Sequence, residues 1–439
     1  MRESVHTRAG RRDLPSRRIR LGVIAVSGAA ALLAAACSSA AAGNQAAGQH
    51  AHSAASPSVS PPAQVTITPA NGATHVNPSH GISVTVTQGK ISNVTVTTGR
   101  DAVAGVLGSG AQTWQTKWPL HPSTRYHVTV TAVNAAGKTV TTTSSFHTLT
   151  PSATMSATTA LGNQTYGVGM PIMITFSSPV TRRAAVEKAI EIKSSKPVVG
   201  AWMWDGNQAL DFRTQVYWPQ HTNVSFVAHF NGLEFAPGVY GTANLSQGFH
   251  IGNSLIGVTS TRTHKTRIYW KNKLYGVWPD SSGMPGDDTA DGTYLTIEKG
   301  NPVLMSGQGY KNVPVYWSVR FTWSGNYYHA APWSLSQQGF INVSHGCVNL
   351  SPANAQTYYN WAVPGDPITI IGSPSTGIWD DGYTEWFYSW NQLLKHSATH
   401  MAVQAGPTGS TWVNPDTLPS ASDSTKHGSK PGNFYAHTQ

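Results

Sequence analysis

Two side chains in this sequence have the types and the spacing for covalent chemistry. Cys347 is one of only two cysteines in the 439 residues, and His329 lies eighteen positions upstream of it. A thiol becomes a nucleophile when a neighbouring base or cation removes its proton, and histidine is the usual base near neutrality. The run Ser344-His345-Gly346-Cys347 puts glycine directly before the thiol. Glycine permits a tight turn there, in which successive backbone N–H groups aim at one oxyanion. A lone cysteine is ordinarily a small buried hydrophobe. The flanking Ser-His-Gly weighs against that reading, and an exported protein gains little from an unpaired thiol. His50-x-His52 sits in a polar tail and reads as incidental. No zinc-type His/Cys cluster and no cofactor motif occurs, so neither a metal nor a cofactor is expected.

The elements around these residues begin with an export signal. Arg11, Arg12, Arg17, Arg18 and Arg20 form a basic region, and residues 21–36 are apolar and small. That stretch is short for a stable membrane span. The run Leu33-Ala34-Ala35-Ala36-Cys37 looks like a lipoprotein signal ending at a lipidated Cys37, although Ala34 stands where Leu is usual. Ordinary cleavage after an Ala-x-Ala site is the alternative. The run Ser16-Arg17-Arg18-Ile19-Arg20-Leu21 also resembles a twin-arginine signal. With Cys37 lipidated, Cys347 has no partner for a disulfide.

The formal net charge is +10, but residues 1–36 hold seven Arg against Glu3 and Asp13. The remainder is mildly basic without an Arg/Lys run or an aromatic-interleaved stripe, which argues against nucleic acid as a partner. Few charges and abundant Thr, Ser, Gly, Trp and Tyr suit exported β-rich modules.

Residues 37–62 read as a flexible tether. Residues 63–149 alternate as half-buried strands do, in Ile82-x-Val84-x-Val86 and in Tyr126 to Val133, which turns at Gly137. Residues 150–252 form a second module with a short helical insert from Arg182 to Ile190. Trp118-Pro119-Leu120-His121 and Trp218-Pro219-Gln220-His221 echo each other one hundred residues apart, which suggests tandem sandwiches. A third module spans 253–373, with a helix opening at Ser351-Pro352. Residues 374–405 are aromatic-rich, and 406–439 read as a disordered tail.

The ordered set His329-x-Ala331-Pro332-Trp333-Ser334, Gln338-Gly339 and Ser344-His345-Gly346-Cys347-Val348-Asn349-Leu350 resembles the L,D-transpeptidase catalytic domain, also called YkuD. Thr289-Ala290-Asp291-Gly292 is similar to a second family motif, with Ala290 in place of the common Pro. The resemblance is strongest over 253–372. It implies a mainly β chain: two immunoglobulin-like sandwiches, then a catalytic β-sandwich with a short helix. It implies that the aromatic segment packs on the other domains rather than lying in a membrane. It implies an acyl transfer between peptidoglycan stem peptides, with D-Ala released and a 3→3 cross-link formed through a thioester. By the same resemblance Cys347 is the nucleophile and His329 the base, oriented by the backbone carbonyl of Ala330. Gly346, Cys347 and His345 would supply the oxyanion loop, while Ser344, Asn349, Trp333, Tyr310 and Met305 would line the pocket. Carbapenems are the expected inhibitors, the lipid anchor the expected membrane contact, and a monomer the expected state. An L,D-carboxypeptidase, with water as acceptor, shares these motifs. A non-catalytic wall-binding lipoprotein is the non-enzyme alternative, and the intact His329, Gly346 and Cys347 argue against it.

Overall fold

The computed structural model of the chain describes residues 60–99, 102–307 and 309–418. The export signal, Cys37, most of the tether including His50 and His52, and the end of the tail lie outside the described residues.

The first module is a sandwich of a four-stranded and a three-stranded antiparallel sheet. Period-two alternation builds it. Tyr126, Val128, Val130 and Ala132 of the strand Arg125–Val133 point inward and meet Val84 and Val86 of Ser83–Thr87. The expected hairpin turns where Asn134 Oδ1 accepts from the backbone N–H groups of Ala136 and Lys138, at 3.1 and 2.9 Å.

The second module packs a four-stranded sheet on a six-stranded one. The helical insert appears as Arg183–Lys188. The two echoed tryptophans have different surroundings. Trp218 is buried and donates to the Met170 carbonyl at 2.7 Å, whereas Trp118 stacks on His229 with ring centroids 3.7 Å apart.

The tail expectation requires correction. Ala402–Gly406 and Gly409–Val413 form a hairpin that extends the six-stranded sheet, with Val198 opposite Ala405. A boundary at 405/406 therefore cuts through a strand. Tertiary contacts, rather than local propensity, fold this polar stretch. Val403 and Ala405 enter the second module's core. Just upstream, the buried carboxylate of Glu187 accepts from the backbone N–H of Ala398 and of Thr399 and from the hydroxyls of Ser397 and Thr399. The aromatic segment packs as well: Trp386 is buried and donates to the Gly169 carbonyl at 2.8 Å. The helix Trp390–His396 is capped by Ser389 and buries Leu393. Among the described residues, no helix is long and apolar enough to cross a membrane.

The third module positions the chemistry. A five-stranded sheet runs in the order 273–279, 265–270, 255–260, 367–371, 292–295. Its central strand Leu255–Ser260 is buried throughout, and Ile256 and Val258 join the second module's core. A four-stranded sheet of Glu298–Gly300, Ser318–Arg320, Tyr327–Ala330 and Val348–Leu350 lies against it across Tyr328, Val319, Leu350 and Ile368. The helix Pro352–Trp361 starts as expected, with the Ser351 hydroxyl accepting from Asn354 N–H at 3.3 Å. Among the described residues, Val303–Gly307 and Tyr310–Val315 pair only with each other, as a separate hairpin.

Candidate active site

Strand register brings the histidine and the cysteine together. Tyr327–Ala330 and Val348–Leu350 run parallel, with Tyr328 opposite Val348 and His329 opposite Asn349. Cys347 therefore lies beside Tyr327, at the entry to its strand. Side chains alternate along Tyr327–Ala330, so Tyr328 turns into the core and His329 turns the other way, toward the thiol.

His329 is 4% exposed, and its Nδ1 lies 3.0 Å from the Ala330 carbonyl. A carbonyl oxygen only accepts, so Nδ1 carries the proton and Nε2 keeps a basic lone pair. Burial lowers the imidazole pKa to about 4. Burial likewise raises the Cys347 thiol to about 11, partly offset by the Tyr327 backbone N–H. The thiol donates weakly to the Gly325 carbonyl at 3.8 Å. Both shifts favour imidazole and thiol over an ion pair in the resting site.

The loop before the thiol is held from below. Gly346 has φ +107°, a left-handed conformation, and a Cβ there would meet Asn326 Oδ1 at 2.8 Å. Ser344 accepts from the Gly346 N–H at 3.2 Å and donates to the Cys347 carbonyl. The Thr289 hydroxyl donates to the Gly346 carbonyl at 2.8 Å and accepts from Gly283 N–H at 2.9 Å. Fixing that carbonyl aims the Cys347 N–H the opposite way, because the peptide is planar and trans. The Gly346 N–H, one of the donors expected at the oxyanion, is thus engaged by Ser344, and Thr289 orients the Cys347 N–H. Residues 281–284 back the loop through Met284 N–H to the Ser344 carbonyl and Ser344 N–H to the Ser282 carbonyl, at 2.8 and 3.0 Å.

A cavity of about 380 Å³ opens above the thiol, walled by Cys347, His329, His345, Trp333, Tyr310 and Met305. Ser344 and Asn349 also reach it, and Asn349 donates to the Ser334 hydroxyl at 3.2 Å. His345 is exposed and lies against Tyr310, ring centroids 5.3 Å apart. Trp333 is 59% exposed and near the His329 ring, with centroids 6.0 Å apart. Ala330 contributes its backbone only. Val313, Val315 and Val343 also line the cavity and were not anticipated. The i, i+2 spacing of Val313 and Val315 could have flagged one face of a strand. Thr289 was noticed only as part of a motif, without its role. Among the described residues, no group of three or more His, Cys, Asp or Glu side chains is placed to hold a metal.

Residues 255–370 match the family described as L,D-transpeptidase catalytic domain, and 73–234 match the bacterial Ig domain. L,D-transpeptidase 5 of Mycobacterium tuberculosis is 33% identical over 351 residues, covering 77% of this chain and 78% of that protein. L,D-transpeptidase 2 of the same species is 31% identical over 345 residues, covering 75% and 83%. Among solved structures, L,D-transpeptidase 3 of M. tuberculosis with a faropenem-derived adduct is 30% identical. It covers 49% of this chain and 97% of that one, with a TM-score of 0.41.

Proposed function

Since the chain belongs to the L,D-transpeptidase family and is an enzyme of that kind, we propose that it cross-links peptidoglycan stem peptides through a thioester on Cys347. The observation that carries this reading is a cavity walled by both Cys347 and His329, in which the Ala330 carbonyl leaves Nε2 as the base. In acylation, the Cys347 proton passes to His329 Nε2 as sulfur attacks the carbonyl carbon preceding a terminal D-Ala. The developing oxyanion meets the Cys347 N–H that Thr289 orients. The imidazolium protonates the departing D-Ala amine. The side-chain amine of a diamino acid on a second stem then attacks the thioester and gives its proton to His329. The thiolate leaves and is reprotonated, and the product is a 3→3 cross-link.

Mass spectrometry of products from a purified tetrapeptide stem tests this. Loss of D-Ala, an acyl adduct on Cys347 and a dimeric product are expected. Free tripeptide as the sole product, with acceptor amine present, would make the enzyme a carboxypeptidase. No adduct at all would remove Cys347 from the chemistry.

We further propose that Cys37 carries a lipid and holds the enzyme at the outer face of the membrane, toward the wall. Cys37→Ala should release the protein into the medium. A parent protein that is already soluble and unlipidated would end this reading.

A further inference from the structure

A buried carboxyl with no part in the chemistry above lies beneath both catalytic strands. Asp280, at the end of the strand Lys273–Pro279, is fully buried, as are Thr266, Ser281 and Ser282. Two hydrogen-bonded branches meet on it. In one, the Ser282 hydroxyl donates to Asp280 Oδ1 at 3.2 Å, and the Ser282 carbonyl accepts the Ser344 N–H at 3.0 Å. In the other, Thr266 donates to Asp280 Oδ2 at 2.8 Å. Thr266 and Thr259 hydroxyls are 2.7 Å apart, and Thr259 and the Tyr328 hydroxyl are 2.6 Å apart. Tyr328 immediately precedes His329. Its ring lies against Gly257, where a Cβ would come within 2.9 Å of the hydroxyl.

We propose that Asp280 is a positioning residue, which sets the strand of His329 and the loop of Cys347 against each other through these two branches. The proposal rests on the assignment of His329 as the base for Cys347.

The branches have a direction. With Asp280 ionised, Tyr328, Thr259 and Thr266 can each donate toward it, and Ser282 donates from the other side. With Asp280 protonated on Oδ2, the hydroxyl branch reverses and the Tyr328 proton loses its acceptor in the chain. Burial raises the Asp280 pKa to about 7, offset in part by the bonds from Thr266 and Ser282. The elements packed against it bring Tyr328, held neutral by burial, and His264, whose backbone carbonyl accepts the Asp280 N–H. The His264 ring itself is turned to Asn342 at 2.9 Å. The ionised network satisfies every hydroxyl, so the catalytic geometry improves as pH rises through about 7.

The test is the rate of Cys347 alkylation by iodoacetamide against pH, followed by peptide mapping so that Cys37 is not counted. This probe needs no stem peptide, so failure of the proposed activity would leave its result readable. The parent should show a several-fold step near pH 7 on top of the steady rise that a thiol lifted to about 11 gives by itself. Asp280→Asn must turn one branch around permanently, because its amide nitrogen donates. It should remove the step near pH 7, leaving only the steady rise with pH of a thiol lifted to about 11, and lower kcat on stem peptide several-fold with KM unchanged. Tyr328→Phe serves as the second variant if Asp280→Asn fails to fold, and should shift or flatten the same step. A parent without that step overturns the proposal. So does a folded variant that keeps the parental pH profile.

Discussion

The two sides of the catalytic cavity are built differently. The floor, from Ser344 to Cys347, is tied by Thr289, Ser344 and the backbone of 281–284. The opposite wall, the hairpin carrying Met305 and Tyr310, pairs only with itself and meets the floor through the Tyr310–His345 ring contact. A floor held by many bonds keeps reacting atoms in register, whereas a wall held by few can yield to a substrate. Substitutions on the floor should therefore change kcat, and those on the hairpin should change KM.

The largest effect is expected at the thiol. Cys347→Ala should abolish acylation and cross-linking, measured by intact mass and product analysis. A strained amide is what an aimed thiolate opens, and the resemblance to the family implies that the parent should take up a carbapenem at Cys347 and most penicillins poorly. No carbapenem adduct on active enzyme would count against the assignment.

Next is His329→Ala, with a loss of roughly 10²–10⁴ in acylation rate. Raising the pH should partly rescue it by forming thiolate without the histidine. In the parent, His329 is lowered to about 4, so the loss of its basicity should come near 4, below the several-fold step near 7 assigned to Asp280. The same shift bears on stability: the unfolded histidine takes up a proton between these values while the folded one does not. Stability is therefore lost as pH falls from 6.5 toward 4. His345→Ala should slow turnover with little pH rescue. If His345→Ala is the variant rescued by pH, the base is the other histidine.

Smaller still is Thr289→Val, which removes the bond aiming the Gly346–Cys347 peptide. About 2- to 10-fold in kcat is expected, the range for one hydrogen bond. Tyr310→Ala, on the hairpin, should raise KM by roughly two- to five-fold and leave kcat near the parental value. A Tyr310→Ala variant that loses kcat instead would erase the distinction between floor and wall.

Side chains with local signatures were legible before the structure. Cys347, His329 and Gly346 stand in an ordered motif, and Ser344, Asn349, Trp333, Tyr310 and Met305 all reach the cavity. Alternation and turn residues suggested the sandwich modules, while the catalytic module was implied by its resemblance to a family. Thr289 and Asp280 were not legible, because their roles depend on register across long separations: Thr289 meets Gly346 57 residues away. The carbonyl of Gly325 and the N–H of Tyr327 touch the thiol as backbone and leave no mark in composition. The hairpin 402–413 was missed for a related reason. Ala402–Gly406 pairs with Val198–Asp205 far upstream, and Gly409–Val413 pairs in turn with Ala402–Gly406.

That late hairpin makes the catalytic module an insertion within the second sandwich. The strands 157–251 come first, the whole catalytic module follows, and only then does 402–413 complete the sheet. A chain emerging from its N-terminus reaches that point last. Until then the edge of Val198–Asp205 is open, Glu187 lacks the donors from 397–399, and Ile256 and Val258 have a partly built core to enter. The order of synthesis thus joins maturation of a domain without chemistry to completion of the one that has it. A chain stopped before residue 402 would carry every catalytic side chain on an unfinished neighbour.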